Sequence, residues 1–189
     1  ADEHGTPRTG YNGEYWQDNC PIREQEHVIG HAVRFGYLMS ACVDIGAETG
    51  DQGLLRMSRR VWRNTAERNT YITGGIGPSA SNEGFTSDYD LPNLTAYQET
   101  CASVAMAMWN HRMNLAYGDA KYADCMETAL YNGILSGVSL DGRKFFYVNP
   151  LESTGGHHRS DWFSCACCPP NVTRTLAALE LDHLPAQAA

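Results

Sequence analysis

Three of the seven cysteines fall within four residues of one another, as Cys165, Cys167 and Cys168. Side chains of neighbouring residues rarely point the same way, so the adjacent pair Cys167 and Cys168 suits a core poorly. The pair suits a soft cation, because thiolate is the preferred soft ligand of zinc, which usually takes four ligands in a tetrahedron. Glu99 and Cys101 lie two residues apart earlier in the chain and would complete a Cys3Glu site together with Cys167 and Cys168.

The spacing of these four residues is not one of the regular CxxC patterns of zinc sites. A cysteine is also a small, often buried hydrophobe. That alternative suits Cys42 and Cys125, which occupy apolar positions of helical patterns, better than it suits Cys167 and Cys168. The residue types alone therefore leave metal binding and core packing both open.

Other side chains are weaker candidates for chemistry. Glu83 lies beside Phe85 in a glycine-bearing loop, where an acid is often only solvated. His27 and His31 are four residues apart, but the stretch lacks the glutamate that a zinc protease places after the first histidine. A partly buried histidine with a satisfied hydrogen bond is the alternative for both. Tyr147 falls in a predicted hairpin and could point into a cleft or a core.

The elements that must position these residues are mostly helices, because apolar residues recur every three or four positions over most of the chain. Asp51 and Thr95 are the predicted N-caps of the second and third helices. The predicted helices cover about residues 24–48, 51–69, 96–117, 120–135 and 169–179.

Two segments depart from the helical pattern. Residues 70–95 form a long polar loop, and loops of this length in compact domains tend to be functional. Asp141 and Gly142, flanked by apolar residues, predict a short β-hairpin over residues 139–149. The fold class is therefore mostly α, in a single domain over residues 1–189.

Composition narrows the classes of function. The formal net charge is −8, and the chain has no cluster of lysine and arginine, which argues against nucleic acid and anionic membranes as partners. No apolar run approaches the roughly 20 residues of a membrane span. An odd number of cysteines, clustered rather than spread, favours reduced thiols. With no signal-peptide pattern at the N-terminus, we expect a cytoplasmic protein.

Five motifs together resemble the catalytic domain of glycoside hydrolase family 127, and the likeness runs from about Pro21 to Glu180. They are Tyr71-Ile72-Thr73-Gly74-Gly75-Ile76-Gly77, Phe85-Thr86-Ser87-Asp88-Tyr89-Asp90-Leu91-Pro92-Asn93, Tyr97-Gln98-Glu99-Thr100-Cys101-Ala102-Ser103, Phe145-Phe146-Tyr147-Val148-Asn149-Pro150-Leu151 and Cys165-Ala166-Cys167-Cys168-Pro169-Pro170-Asn171. The best-known members of that family are bacterial β-L-arabinofuranosidases with an (α/α)6 barrel and zinc.

The resemblance implies a role for each candidate residue. Family members hold zinc through one glutamate and three cysteines, which match Glu99, Cys101, Cys167 and Cys168 here. The resemblance makes Cys167 the nucleophile and Glu83 the acid/base of a retaining hydrolysis. It makes His31 and Tyr147 residues that touch the sugar.

The chain also departs from the family. Family proteins are several times longer, with about half of the barrel before the matched part and β-sandwich domains after it. The segment 151–162 is shorter than expected, and residues 181–189 leave the pattern as a divergent tail. We therefore expect part of an (α/α)6 barrel, with long active-site loops, that needs a second copy or another chain to complete it.

Three hypotheses of function follow from the sequence. The first is a zinc-dependent retaining glycosidase acting on a carbohydrate substrate, a β-L-arabinofuranoside or a related plant-wall sugar. The second is a catalytically incomplete zinc-binding fragment or interaction module of the same family. The third is thiol chemistry at Cys167, which is weaker because no CxxC motif lies outside the proposed metal ligands.

Overall fold

Helices dominate the computed structural model, which describes residues 13–179. The predicted tail, residues 181–189, lies outside the described residues. Over the described part the α-helices are α1 (Gly13–Trp16), α2 (Ala32–Thr49), α3 (Gln52–Arg68), α4 (Thr100–Tyr117), α5 (Ala120–Ala129) and α6 (Cys168–Leu179). The prediction of a mostly α fold is confirmed.

Helix α4 is the centre of the packing. It contacts α2, α5 and α6, and nearly all of its side chains from Thr100 to Asn110 are buried, including Met106 and Trp109. A stretch of helix that is buried all round belongs to the core rather than to the surface. Gly36 of α2 permits the close approach of α2, because a Cβ there would lie 2.7 Å from the Cβ of Ala105. The first turn of this rigid helix carries part of the candidate site.

Helix α3 begins as the sequence predicts. The Asp51 carboxylate accepts hydrogen bonds from the backbone N–H groups of Gly53 and Leu54, at 2.8 and 3.1 Å. Gly50 ends α2 in the left-handed region, with φ of 69°. A side-chain cap and a glycine stop of this kind are the usual termini of helices.

The predicted start of the first long helix is wrong. The pattern indicated a helix from about Glu24, but α2 begins at Ala32, and only a 3₁₀ turn covers Ile22–Glu24. Gly30, with φ of 69°, breaks the helical path. Its carbonyl accepts a hydrogen bond from the N–H of Phe85, so tertiary pairing with a distant loop decides where α2 starts.

The predicted cap of the third helix is also wrong. Thr95 does not cap it; Glu99 occupies the N-cap position, and α4 begins at Thr100. The N–H groups of Tyr97 and Gln98 instead bond to the carbonyls of Pro78 and Gly77, at 3.0 and 2.9 Å. That pairing holds the chain out of the helix just before Glu99.

The last part of the predicted fourth helix is not α-helical. Helix α5 is followed by a π turn over Leu130–Ile134 and a 3₁₀ turn over Leu135–Gly137. A Cβ on Gly133 would lie 2.4 Å from the Ser103 hydroxyl oxygen of α4, so the glycine lets the two elements approach closely.

The predicted hairpin exists as a tight turn rather than as long strands. The Ser139 N–H donates to the Lys144 carbonyl at 2.8 Å, and Gly142 has the positive φ that such a turn requires. Phe145 forms isolated bridges with both Val138 and Ser160. Helix α6 then begins at Cys168, one residue before the predicted proline.

Between residues 13 and 179, no helix has both the length and the apolar character needed to cross a membrane.

Candidate active site

Four potential metal ligands converge where the N-termini of α4 and α6 meet. Glu99 precedes α4, Cys101 lies in its first turn, and Cys167 and Cys168 stand at the start of α6. Their donor atoms all lie within 4.8 Å of one another. The Sγ of Cys168 lies 3.4 Å from that of Cys101 and 3.5 Å from that of Cys167. The structure thus brings together the four residues proposed from the sequence.

The cluster has too few partners for its buried polar atoms. Among residues 13–179, the buried Oε2 atom of Glu99 has no hydrogen-bond partner. Burial raises the pKa of the Glu99 carboxyl and raises the pKa of the Cys167 thiol to about 12. Hydrogen bonding with Cys101, together with burial, raises the pKa of the Cys168 thiol. A bound cation would stabilise all of these groups as anions, so the four residues could hold a metal ion.

Glu83 forms a second cluster beside the first. Its Oε1 atom accepts a hydrogen bond from the Tyr97 hydroxyl at 2.9 Å, and its Oε2 atom accepts one from the Tyr15 hydroxyl at 3.3 Å. The Nε2 atom of His31 lies 3.4 Å from Oε2 of Glu83. Three side chains from distant parts of the chain therefore hold one carboxylate.

A backbone crossing fixes Glu83 against the start of α2. The Glu83 carbonyl accepts from the N–H of Ala32 at 3.1 Å, and the N–H of Phe85 donates to the Gly30 carbonyl at 2.9 Å. A Cβ on Gly84 would lie 1.8 Å from the Gly30 carbonyl oxygen. Only glycine fits at this crossing. Glu83 itself has φ of 50°, a left-handed conformation that is uncommon for residues other than glycine.

His31 has a single tautomer in this arrangement. Its Nδ1 atom caps α2 by accepting from the N–H groups of Val33 and Arg34, at 3.2 and 3.5 Å. An accepting Nδ1 in a neutral imidazole requires the proton on Nε2, which faces Glu83. Burial lowers the pKa of His31, with a further lowering by Arg34 that Glu83 opposes. The N–H of His31 Nε2 therefore faces the Glu83 carboxylate, with 3.4 Å between Nε2 and Oε2.

Glu99 joins the two clusters. Its carboxylate lies within 4.8 Å of donor atoms of both His31 and Glu83, as well as of the three sulfurs. Tyr147 reaches the same place from the hairpin, where its side chain lies beside Cys167 and its ring contacts Tyr97. The candidate residues thus form one continuous site with a thiol at one end and an acid at the other.

Sequence reasoning missed two members of this site and misplaced one candidate. Tyr15 and Tyr97 have no sequence signal of their own for a role at the site, although Tyr97 lies two residues before Glu99. His27 precedes α2 and lies outside the cluster, because the segment between His27 and His31 is not helical. The helical spacing of the two histidines therefore has no structural counterpart.

Comparison with known proteins places this chain in a family. The model of the β-L-arabinofuranosidase GH127 catalytic domain matches residues 3–181. A curated relative from Bifidobacterium longum subsp. longum, a non-reducing end β-L-arabinofuranosidase, is 45% identical over 181 residues. That match covers 90% of this chain and 28% of the relative.

Solved structures that are similar to this chain also belong to GH127. A GH127 β-L-arabinofuranosidase from Geobacillus stearothermophilus T6 is 50% identical with a TM-score of 0.85, over 88% of this chain and 28% of that one. Another GH127 β-arabinofuranosidase is 48% identical with a TM-score of 0.86, over 88% of this chain and 26% of that one.

The chain spans little more than a quarter of the length of these relatives. Its helices correspond to part of their (α/α)6-barrel-like domain. The chain therefore belongs to the GH127 family of glycoside hydrolases and represents part of its catalytic domain.

Proposed function

We propose that this chain carries the active site of a retaining glycoside hydrolase that cleaves β-L-arabinofuranosides or a related plant-wall sugar. The observation that carries the proposal is the position of Glu99, which lies within 4.8 Å of donor atoms of both the sulfur cluster and the Glu83 cluster. A nucleophile and an acid on either side of one small site are what a retaining glycosidase needs.

The metal that fits the cluster best is zinc. A tetrahedron with Zn–S bonds of about 2.3 Å and a Zn–O bond of about 2.1 Å places its sulfurs about 3.8 Å apart and its sulfur and oxygen about 3.6 Å apart. The Sγ atoms of Cys167 and Cys168 lie 3.5 and 3.7 Å from Oε1 of Glu99. With sulfur–sulfur distances of 3.4 and 3.5 Å, the four donors need only small shifts to reach that geometry.

Cys167 is the sulfur best placed to act as the nucleophile. A zinc ion bound to the cluster would keep the Cys167 sulfur as a thiolate at neutral pH. Cys101 and Cys168 are fully buried, whereas Cys167 retains some exposure and faces the Tyr147 side chain. Its Sγ would attack the anomeric carbon and break the bond to the leaving oxygen, giving a glycosyl–cysteine thioether.

Glu83 would supply and recover the proton. Held by Tyr15, Tyr97 and His31, its carboxyl group would protonate the leaving oxygen as the glycosidic bond breaks. The resulting carboxylate would then deprotonate a water that attacks the anomeric carbon, which releases the sugar and restores the Cys167 sulfur. Two displacements at the same carbon retain its configuration.

A second candidate function is that of a zinc-binding module, in which the four ligands hold the metal without sugar turnover. Ile45, Leu115 and Tyr131 each expose more than half of their surface on the outer faces of helices. We propose that a second copy or another chain packs against these faces.

The test compares the parent chain with Cys167→Ser and Glu83→Gln on an aryl β-L-arabinofuranoside and on a disaccharide. Serine at 167 removes a metal ligand and the nucleophile, so zinc content and turnover both fall. Glutamine at 83 retains zinc and loses about 10²- to 10⁴-fold in rate, with the smaller loss on the aryl substrate. A parent chain that binds zinc but turns over no furanoside, alone or as an oligomer, would establish the zinc-module candidate instead.

A further inference from the structure

A series of hydrogen bonds runs from the surface to the Cys101 sulfur. The Nδ2 atom of Asn171 donates to the Sγ of Cys101 at 3.0 Å. The Oδ1 atom of the same amide accepts from Nε of Arg174 at 2.6 Å. Arg174 also donates through Nη2 to the hydroxyl of Tyr37 on α2, at 2.8 Å. One amide thus lies between a guanidinium and a candidate metal ligand.

The chemistry of arginine determines which atom donates and which accepts in these hydrogen bonds. An arginine side chain can only donate hydrogen bonds, so the amide atom that faces Arg174 must be the oxygen. The amide nitrogen of Asn171 must then face Cys101 and donate to its sulfur. Asn171 is itself fixed, because its backbone N–H donates to the Cys167 carbonyl at 3.0 Å in the first turn of α6.

The sulfurs of the cluster are therefore not equivalent. Cys101 receives an amide N–H that is polarised by a cation behind it. Cys167 faces the side chain of Tyr147 and the open part of the site. A donated hydrogen bond stabilises charge on a metal-bound sulfur and makes that sulfur a poorer nucleophile.

We propose that Asn171, oriented by Arg174, is a positioning residue that keeps the Cys101 sulfur bound to the metal. Cys167 is then left as the sulfur that reacts. The inference rests on the proposed function, since it concerns the metal that the four ligands would hold. It adds a residue pair beyond those ligands and beyond the acid/base.

The test measures metal binding rather than turnover. Zinc affinity is measured in the full chain by competition with a chromogenic chelator, and the thiolate-to-metal charge-transfer bands are recorded after cobalt(II) substitution. Asn171→Leu keeps the size of the side chain and removes its donor. Arg174→Met removes the group that orients the amide. Thr173→Ala is the matched control, because the Thr173 hydroxyl donates to the Pro169 carbonyl one turn earlier in α6, at 3.0 Å.

We expect Asn171→Leu to weaken zinc binding by about 10- to 100-fold and to move the charge-transfer bands to lower energy. Arg174→Met should weaken zinc binding and lower the band energy by smaller amounts. Thr173→Ala should match the parent in both measurements. The band shift separates this role from a merely structural one, because a local loss of packing would not make the sulfur a stronger electron donor.

If both Asn171→Leu and Arg174→Met match the parent in affinity and spectrum, the inference is wrong while the proposed zinc site stands. If Asn171→Leu fails to fold, Arg174→Met decides alone, since Arg174 is exposed. A folded parent that binds neither metal overturns the zinc site and this inference together. A parent that binds zinc without hydrolysing sugar, but shows the predicted shifts, supports the inference and rejects the hydrolase.

Discussion

His31 Nε2 lies 3.4 Å from Glu83 Oε2 while the Nδ1 atom of the same ring caps helix α2. One imidazole therefore both caps the N-terminus of α2 and lies beside the candidate acid. The two roles use different nitrogen atoms, so a substitution can separate them.

His31→Asn keeps a good N-cap and removes the imidazole beside Glu83, whereas His31→Leu removes both. We expect His31→Leu to lower the free energy of unfolding by about 1 kcal/mol or more and His31→Asn to lower it by less. Both should reduce turnover by about 10-fold or more, because the carboxylate is no longer held on that side. Urea unfolding and steady-state kinetics measure the two effects, and equal stability of the two variants would contradict the capping role.

The same residue should make stability depend on pH. Burial lowers the pKa of His31 in the folded chain, so the unfolded chain binds this proton first as the pH falls. The contribution of neutral His31 is complete above about pH 6.5 and is lost progressively below it. In urea unfolding between pH 8 and pH 5.5, the parent should lose more stability than His31→Asn does. Parallel curves for the two proteins would show that His31 does not carry this dependence.

Metal removal should destabilise the fold through the buried sulfurs. Cys168 is fully buried and lies 3.4 Å from the Cys101 sulfur. A ligand that binds only the folded state adds about 4 kcal/mol of stability at 1,000 times its dissociation constant. We expect Cys168→Ser to lose zinc and to melt at a lower temperature, as the parent does with a chelator. Cys165→Ser, an exposed thiol in the same segment, is the control and should match the parent in zinc content by elemental analysis.

Asp88 should protect the fold in mild acid. It accepts from Asn69, Arg68 and Asn64 at 2.9, 2.9 and 3.0 Å, and these hydrogen bonds, that of Asn69 first, lower its pKa to about 2. The stabilisation is present above about pH 4 and is lost as the pH falls towards 2.

Asp88→Asn should therefore cost on the order of 1 kcal/mol at neutral pH and flatten the loss of stability between pH 4 and pH 2. Thermal melts across that range measure the effect. Asp90→Asn is the control, because Asp90 bonds to Thr86 within its own loop rather than to α3. A larger effect at Asp90 than at Asp88 would show that the loop is not anchored in this way.

Local sequence signals predicted those parts of the fold that depend on local contacts. Asp51 caps α3, and Gly142 turns the hairpin, because each acts within a few residues of itself. The starts of α2 and α4 could not be predicted in the same way. They depend on pairing with the loop over residues 70–95, which no periodicity encodes.

The residues of the site also differ in whether a local sequence signal could predict them. Residue types and adjacency pointed to Cys167 and Cys168, since two neighbouring thiols are unusual outside a metal site. Glu83 had no local signal beyond its loop, because its environment comes from Tyr15, His31 and Tyr97 in three separate segments. Only the folded chain shows that these groups surround one carboxylate.

The distance along the chain between Glu99 and Cys167, 68 residues, sets an order of assembly during synthesis. The three side chains that hold Glu83, those of Tyr15, His31 and Tyr97, precede Glu99 and leave the ribosome before it. At 5–20 residues per second, Cys167 follows Glu99 by roughly 3 to 14 s. The acid end of the site can therefore form on the nascent chain first, and the sulfur end closes only when helix α6 arrives to dock on α4.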